Sequence, residues 1–456
     1  MTTPPSEIPN PKSAVVLGGG VAGIAAAVRL AEAGVRVTLV EMRPRLGGRA
    51  TSIPDPSSGQ MLDNCQHVVM RCCTALLELY ETLGVAERMV WHRKFDFVHA
   101  NGTRASLQAT RLPAPTHFAL PFLTLKGLSL RDKFGIARAM HEVFWSPPKP
   151  EDRDRVNAES FADWLTKRKQ TARAIERFWE PVVVGACNET LDRVAAGYAL
   201  QVFREGFLET NSGYEMGLSD VPLVGLYDPA ETIISKHGGT VLQASAKSLD
   251  YDAVSQTVRG VVLNDGTRLE ADTYVSALPF DVLDRVVGEA MKTDDPRLQR
   301  LGELEVSPIV GLHLWVRSPG GGPTMTLPHI ALTGSPLHWV FDQGTDDGGV
   351  QHLHGVVSAA HDLVDQPNAE ILDVAMKELH RLVPGCAEAE LVEGRVIKER
   401  RATFSCVPGV DALRPETSGP IANLLLAGDW CATGWPATME GAARSGFAAA
   451  RAVKSP

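Results

Sequence analysis

The first patterned stretch of the chain is four apolar residues, Ala14-Val15-Val16-Leu17, followed by a glycine-rich run from Gly18 to Gly23 and an alanine-rich apolar stretch from Ile24 to Ala33. The four-residue run is too short for a helix and predicts a buried strand. The longer stretch predicts a helix closed by Gly34, a residue that takes a left-handed C′ position at little cost. Val35, Val37, Leu39 and Val40 predict a second strand ending on Glu41. Over residues 74–83, Leu76, Leu77, Leu79, Tyr80 and Leu83 share one side of a predicted helix. From 91 to about 200 the pattern reads as mostly helical, interrupted by a proline-bounded section from Pro113 to Pro121.

Strands return later. Thr257–Leu263 and Thr267–Leu269 flank Asn264-Asp265-Gly266, a strong hairpin signal. Tyr274–Ala277 predicts a short buried strand ending before Pro279. Residues 308–316 and 351–358 read as strands of a second sheet, with His352 and His354 on one strand face, and 366–383 as a helix. Leu424–Ala427 predicts a buried parallel strand, and a final helix starts near Thr438 or Met439. This order predicts an α/β protein in which a discontinuous Rossmann-like domain (1–85, 205–290 and 395–456) alternates with a mixed α+β substrate domain (86–204 and 291–394).

Composition narrows the classes. A chain of 456 residues is long for one domain, and 44% hydrophobic with 22% charged residues is ordinary for a globular protein. A net charge of −9 with no basic stripe argues against nucleic acid as a partner. No apolar run approaches the length of a membrane span. The first thirteen residues are polar and proline-rich, and read as a disordered leader. Seven cysteines at scattered positions, with no C-x-x-C, give neither a disulfide framework nor a zinc site, so no metal is expected and the location reads as cytoplasmic. Phe118, Leu120, Phe122, Leu123, Leu125 and Leu128 are either buried core or a hydrophobic rim that touches a membrane or receives an apolar substrate.

Gly18, Gly20 and Gly23 fit G-x-G-x-x-G. The spacing allows a tight turn, close approach to a pyrophosphate and close helix–strand packing, while the helix N-terminus faces the phosphates. Glu41 stands where a carboxylate accepts both ribose hydroxyls. Past it come Met42-Arg43 and Gly47-Gly48-Arg49, whose arginines suit the phosphates of a longer dinucleotide. At the other end, Gly428-Asp429 closes the strand 424–427 and can offer a carboxylate to a ribityl hydroxyl. The helix after Thr438 points its N-terminus at the electron-rich edge of a flavin ring.

These motifs together resemble the flavin amine oxidase and carotenoid desaturase superfamily. Leu62-Asp63-Asn64-Cys65-Gln66-His67-Val68 and Ala427 through Gly446 are further similar to the hydroxysqualene dehydroxylases of bacterial hopanoid clusters. Cys65 stands in place of that group's glycine and Cys431 in place of its threonine. The resemblance implies FAD, with contacts from Gly18, Gly20, Val21, Ala22, Gly23, Glu41, Met42, Arg43, Gly47, Gly48, Arg49, Val241, Gly428, Asp429, Thr438, Met439, Glu440 and Ala442. Val241 would contribute its backbone beside the adenine.

The implied reaction removes the hydroxyl of a C30 isoprenoid alcohol and delivers hydride, giving squalene. It needs a proton donor and an apolar, aromatic-lined cavity. His67 is the first candidate for the donor, or else orients Asp63 or the flavin edge. Asp63 is catalytic or caps its turn. Gln66 bonds the flavin or the hydroxyl, or packs. Trp435 lines the site or fills a domain interface. Asn188 meets the hydroxyl or caps a helix. The partners expected are a long-chain isoprenoid substrate, an external electron donor with no site visible in the sequence, and a peripheral contact with the inner face of the cytoplasmic membrane. Alternatives are a carotenoid-type desaturase, an amine oxidase with flavin linked to a cysteine such as Cys431, and a non-catalytic prenyl-binding protein.

Overall fold

A computed structural model describes residues 12–145 and 152–453. The leader falls largely on residues 1–11, outside the described residues, while Ser13 already belongs to the first strand.

Five parallel strands form the sheet that organises the molecule. Their order is Thr240–Gln243, Arg36–Glu41, Ser13–Leu17, Thr273–Ser276 and Leu424–Leu426. The central strands read as unbroken apolar runs because helices cover both faces. Val21–Glu32 packs on one side with Met439–Ala452 against it. The seating of the first helix on the strand-end turn and against the last helix depends on two missing side chains. A Cβ on Gly23 would lie 1.8 Å from the Gly18 carbonyl oxygen, and one on Gly446 would lie 2.2 Å from that of Ala22. Gly446 therefore serves helix–helix packing.

The predicted elements form closely. The helix Thr74–Leu83, the hairpin of Thr257–Leu263 with Arg268–Leu269, the helix Asn368–Leu382 and the strands Val306–Arg317 and Val350–Val357 are all present. His352 and His354 do lie on one strand, across from Trp315 and His313.

The stretch after residue 89 corrects the helical expectation. Met89–His92, Lys94–His99 and Arg104–Gln108 are strands. The last two form one edge of a seven-stranded mixed sheet whose other strands come from 306–404. The physical reason is period-two burial: Ala105 and Leu107 point inward between exposed Arg104, Ser106 and Gln108. Helices follow only from 119 onward, and they pack around fully buried Phe161, Trp179 and Phe203.

Candidate functional site

A cavity of about 850 Å³ extends from the glycine turn of the parallel sheet to the helices inserted after residue 119. That is at the upper end of ligand sites, which span roughly 300–1,000 Å³. Its first part is lined by Gly18, Gly20, Val21, Ala22, Glu41, Met42, Arg43, Gly47, Gly48 and Arg49 from the N-terminal region, and by Gly428, Asp429, Thr438, Met439, Glu440 and Ala442 from the C-terminal region. Two stretches almost 400 residues apart thus share one wall.

The wall has the features of a dinucleotide cradle. The helix at Val21 starts from Gly20 with no side-chain cap and no acid in its first turn, so its free N–H groups remain available to an anion. The backbone at Gly20 bridges to Gly47, and a Cβ on Gly48 would come within 2.8 Å of the Gly20 Cα. Glu41 is buried and already aimed. Gly19 N–H donates to Oε2 at 2.7 Å and Arg43 N–H to Oε1 at 2.8 Å. Each carboxylate oxygen keeps a lone pair for a hydroxyl donor.

Several predicted contacts are rearranged. Arg49 and Asp429, expected to act separately, form an ion pair with each other, and Arg49 also donates to the Ala402 carbonyl at 2.9 Å. Arg43 donates to the Gly48 carbonyl at 3.1 Å. Thr438 caps the terminal helix by accepting from Gly441 N–H at 3.1 Å. Met439 receives a contact from the Tyr227 hydroxyl at 3.5 Å. Glu440 turns its carboxylate away to the start of the helix Thr74–Leu83. Gly23 stays behind the wall as a packing residue. Val241 also stays out of the lining, because it is paired in the parallel ladder with Leu39; the wall is formed by Ala244, Ser245 and Ala246.

The second part of the cavity is walled by aromatic side chains, among them Phe95, Phe118, Phe122, Phe178, Phe207, Trp339 and Phe341. Gln66, His67, Asn188 and Trp435 line the same cavity. His67 accepts or donates at one atom only: its Nδ1 is 2.8 Å from the Cys65 carbonyl, which requires Nδ1–H and leaves Nε2 as an acceptor. Burial holds its pKa below the ordinary histidine value. Gln66 takes a hydrogen bond from Gln343 Nε2 at 2.9 Å. Asn188, at φ +50°, has its amide committed, donating to Thr403 Oγ1 at 2.9 Å and accepting from Ala359 N–H at 2.8 Å. Trp435 carries Arg444 on its ring face, 4.8 Å from the centroid.

Asp63 does not reach the cavity. Its Oδ1 accepts from Ser52 Oγ at 2.6 Å and Leu223 N–H at 2.9 Å, a structural role that ties distant segments together rather than capping its own turn. Cys431 is also outside the lining and nearly fully buried, and burial pushes its thiol pKa up, so no sulfur nucleophile faces the cavity there. Cys65 does line it, with its thiol raised by burial to about 12.

Sequence reasoning missed Arg414. This buried side chain donates to the Asp429 carbonyl at 3.0 Å and to Thr433 Oγ1 at 3.2 Å, and also bonds Tyr198 and the Cys431 carbonyl. It fixes the loop that leaves the Gly428-Asp429 strand end. A lone arginine before a proline carries no periodic or motif signal.

A family profile described as flavin containing amine oxidoreductase matches residues 21–454. The chain belongs to this family. FAD is accordingly its cofactor, and the fold and oxidoreductase class follow. Curated relatives include a 15-cis-phytoene desaturase of Synechococcus elongatus, 26% identical with 96% of this chain and 95% of that protein covered. A hydroxysqualene dehydroxylase of Rhodopseudomonas palustris is 28% identical, with 97% and 98% covered. Among solved structures, an oxidoreductase from Methanosarcina mazei aligns at a TM-score of 0.73 and 17% identity, covering 96% of this chain and 99% of that one. Wild-type putrescine oxidase bound to putrescine aligns at 0.70 and 18%, covering 97% and 98%. At these identities the two structures speak for the fold alone.

Proposed function

We propose that this family member reduces hydroxysqualene, a C30 isoprenoid alcohol, to squalene. The observation that carries this is the composition of the cavity: one continuous space is lined by a dinucleotide cradle, by an aromatic wall, and by His67 with Gln66. The narrow motifs at 62–68 and 427–446 and the dehydroxylase relative support the same substrate. We assign the cofactor to residues 1–85, 205–290 and 395–456 and the substrate to 86–204 and 291–394. Support comes from a parallel sheet that draws its strands from 13–41, 240–276 and 424–426.

When bound, reduced FAD supplies the hydride. The overall balance is R–OH plus hydride plus a proton giving R–H and water. Gly18, Gly20, Glu41 and Arg43 hold the dinucleotide, with Gly428 and Thr438 closing the other end of the cradle. The aromatic wall excludes water and places π-electron density beside the allylic carbon as the C–O bond weakens. His67 donates as the imidazolium, with Nδ1–H held by the Cys65 carbonyl and the second proton on Nε2. Because burial disfavours its charged form, a proton held there passes readily to the leaving hydroxyl. Gln66 orients that hydroxyl. Electrons come from an external reductant.

Anaerobic incubation with dithionite-reduced FAD and hydroxysqualene tests this by chromatography: squalene is the expected product. A second reading, a phytoene-type desaturase, is favoured by the relative of similar identity. Turnover of a C40 polyene by the oxidised enzyme, without squalene formation, selects it.

A further inference from the structure

The outer faces of the helices Ala119–Thr124 and Leu130–Trp145 are apolar and uncovered. Leu120 is 58% exposed, Leu123 60%, Leu130 83% and Phe134 74%, an arrangement that a monomeric surface rarely carries in one place. The same two helices wall the cavity from inside, through Phe122, Ile136 and Met140. Ala119, Ala137 and His141 are both exposed and cavity-lining, so the cavity opens to the outside between these helices.

The charge around this mouth is opposite in sign to that of the protein. The chain carries a net −9, yet from residue 111 to 141 its exposed ionic side chains are Arg111, Lys126, Arg131 and Arg138, with Lys133 half-buried. The acids of the two helices are Asp132, buried and bonded to Ser129 and Thr171, and Glu142, whose carboxylate is neutralised by an ion pair with Arg168. Leucine and phenylalanine side chains within a basic ring match the interfacial depth and the charge of an anionic lipid leaflet. Among the described residues no helix is long and apolar enough to cross a membrane, so a bilayer contact of this face would be interfacial.

We infer that the 119–145 helices are a docking surface for an anionic lipid bilayer, with the cavity mouth pressed against it. An apolar substrate then passes from the bilayer to the tunnel without crossing water. What passes rests on the function proposed above; the docking itself does not, and its test reads lipid binding alone.

The experiment is vesicle flotation of the FAD-loaded, full-length protein with phosphatidylcholine vesicles containing or lacking phosphatidylglycerol. The wild type is expected to float with anionic vesicles and to do so weakly with neutral ones. Leu123→Asp with Phe134→Asp should lower binding at least about tenfold, and Lys126→Glu with Arg131→Glu should remove the preference for anionic lipid. None of these four side chains lines the cavity, so flavin content and thermal melting should match the wild type and show that the variants fold. Wild-type protein left at the bottom of the gradient overturns the inference. So does a variant pair that folds and floats unchanged. A wild-type dimer by sedimentation velocity that the Leu123→Asp, Phe134→Asp pair dissolves would assign the face to a second copy and overturn it as well.

Discussion

Glu440 and Leu76 are joined across two helices: Oε2 of Glu440 accepts the N–H of Leu76 at 2.8 Å. Oε1 takes the N–H of Ala75 at 3.1 Å and Arg444 Nε at 2.6 Å. The helix Thr74–Leu83 has no side-chain cap of its own, so a residue 364 positions away supplies it. The carboxylate also meets the positive end of that helix dipole.

Removing it leaves buried N–H groups without partners. Glu440→Ala is expected to destabilise the fold by about 3 kcal/mol, and Glu440→Gln, which keeps an acceptor, by about 1–2 kcal/mol. Urea denaturation measures both. Equal stability of Glu440→Ala and wild type would show that water replaces the cap.

Glu41→Gln keeps the shape of the side chain but offers an NH₂ group where Gly19 N–H or Arg43 N–H now donates. The amide cannot accept from both and from a ribose. FAD affinity should fall by about 1–3 kcal/mol, read by flavin fluorescence titration. An unchanged dissociation constant would place the ribose elsewhere.

The opening turn, Glu41 and the strand 424–426 were legible because each combines a short apolar run with a residue type that its position demands. Residues 94–108 were not: their strands are five or six residues long, and the first gains its place in the sheet from Ala331–Thr333, more than 200 residues away. Glu440 and Arg414 were illegible for a different reason. The place of Glu440 in the cofactor motif suggested contact with a ligand, and Arg414 carried no signal; only packing shows Glu440 turned to Leu76 and Arg414 holding the 429–433 loop. The apolar section 118–128 divides between core and surface. Leu125 is core, and Leu120 and Leu123 are exposed.

His67→Gln should lower squalene formation by about 10²–10³-fold with flavin content unchanged, if the proton leaves from this ring. The sign of the pH dependence is fixed by its environment. Burial depresses the folded-state pKa, so the protonated donor grows scarcer as pH rises above that depressed value. Wild-type turnover is therefore expected to fall with rising pH across the acid-to-neutral range. The variant should lose this slope; a slope that survives the substitution would assign the proton to another group.

Acid stability gives a test independent of activity. Burial pushes the pKa of His329 and His338 down to about 4 and that of His352 to about 3. The unfolded chain takes up these protons near pH 6.5, while the folded chain resists them, so stability is complete above about pH 6.5 and is lost as pH falls toward 4. His329 is the cleanest probe. Both of its ring nitrogens are buried without a hydrogen bond, and it sits against His92, Phe95, Trp339 and Phe341. Phe at this position keeps the ring and removes the titration. His329→Phe should match the wild type near pH 8 and lessen the loss in acid by about 1 kcal/mol per pH unit between 6 and 4.5. Urea midpoints at four pH values measure it, and parallel curves for the two proteins would mean that His329 protonates as easily folded as unfolded.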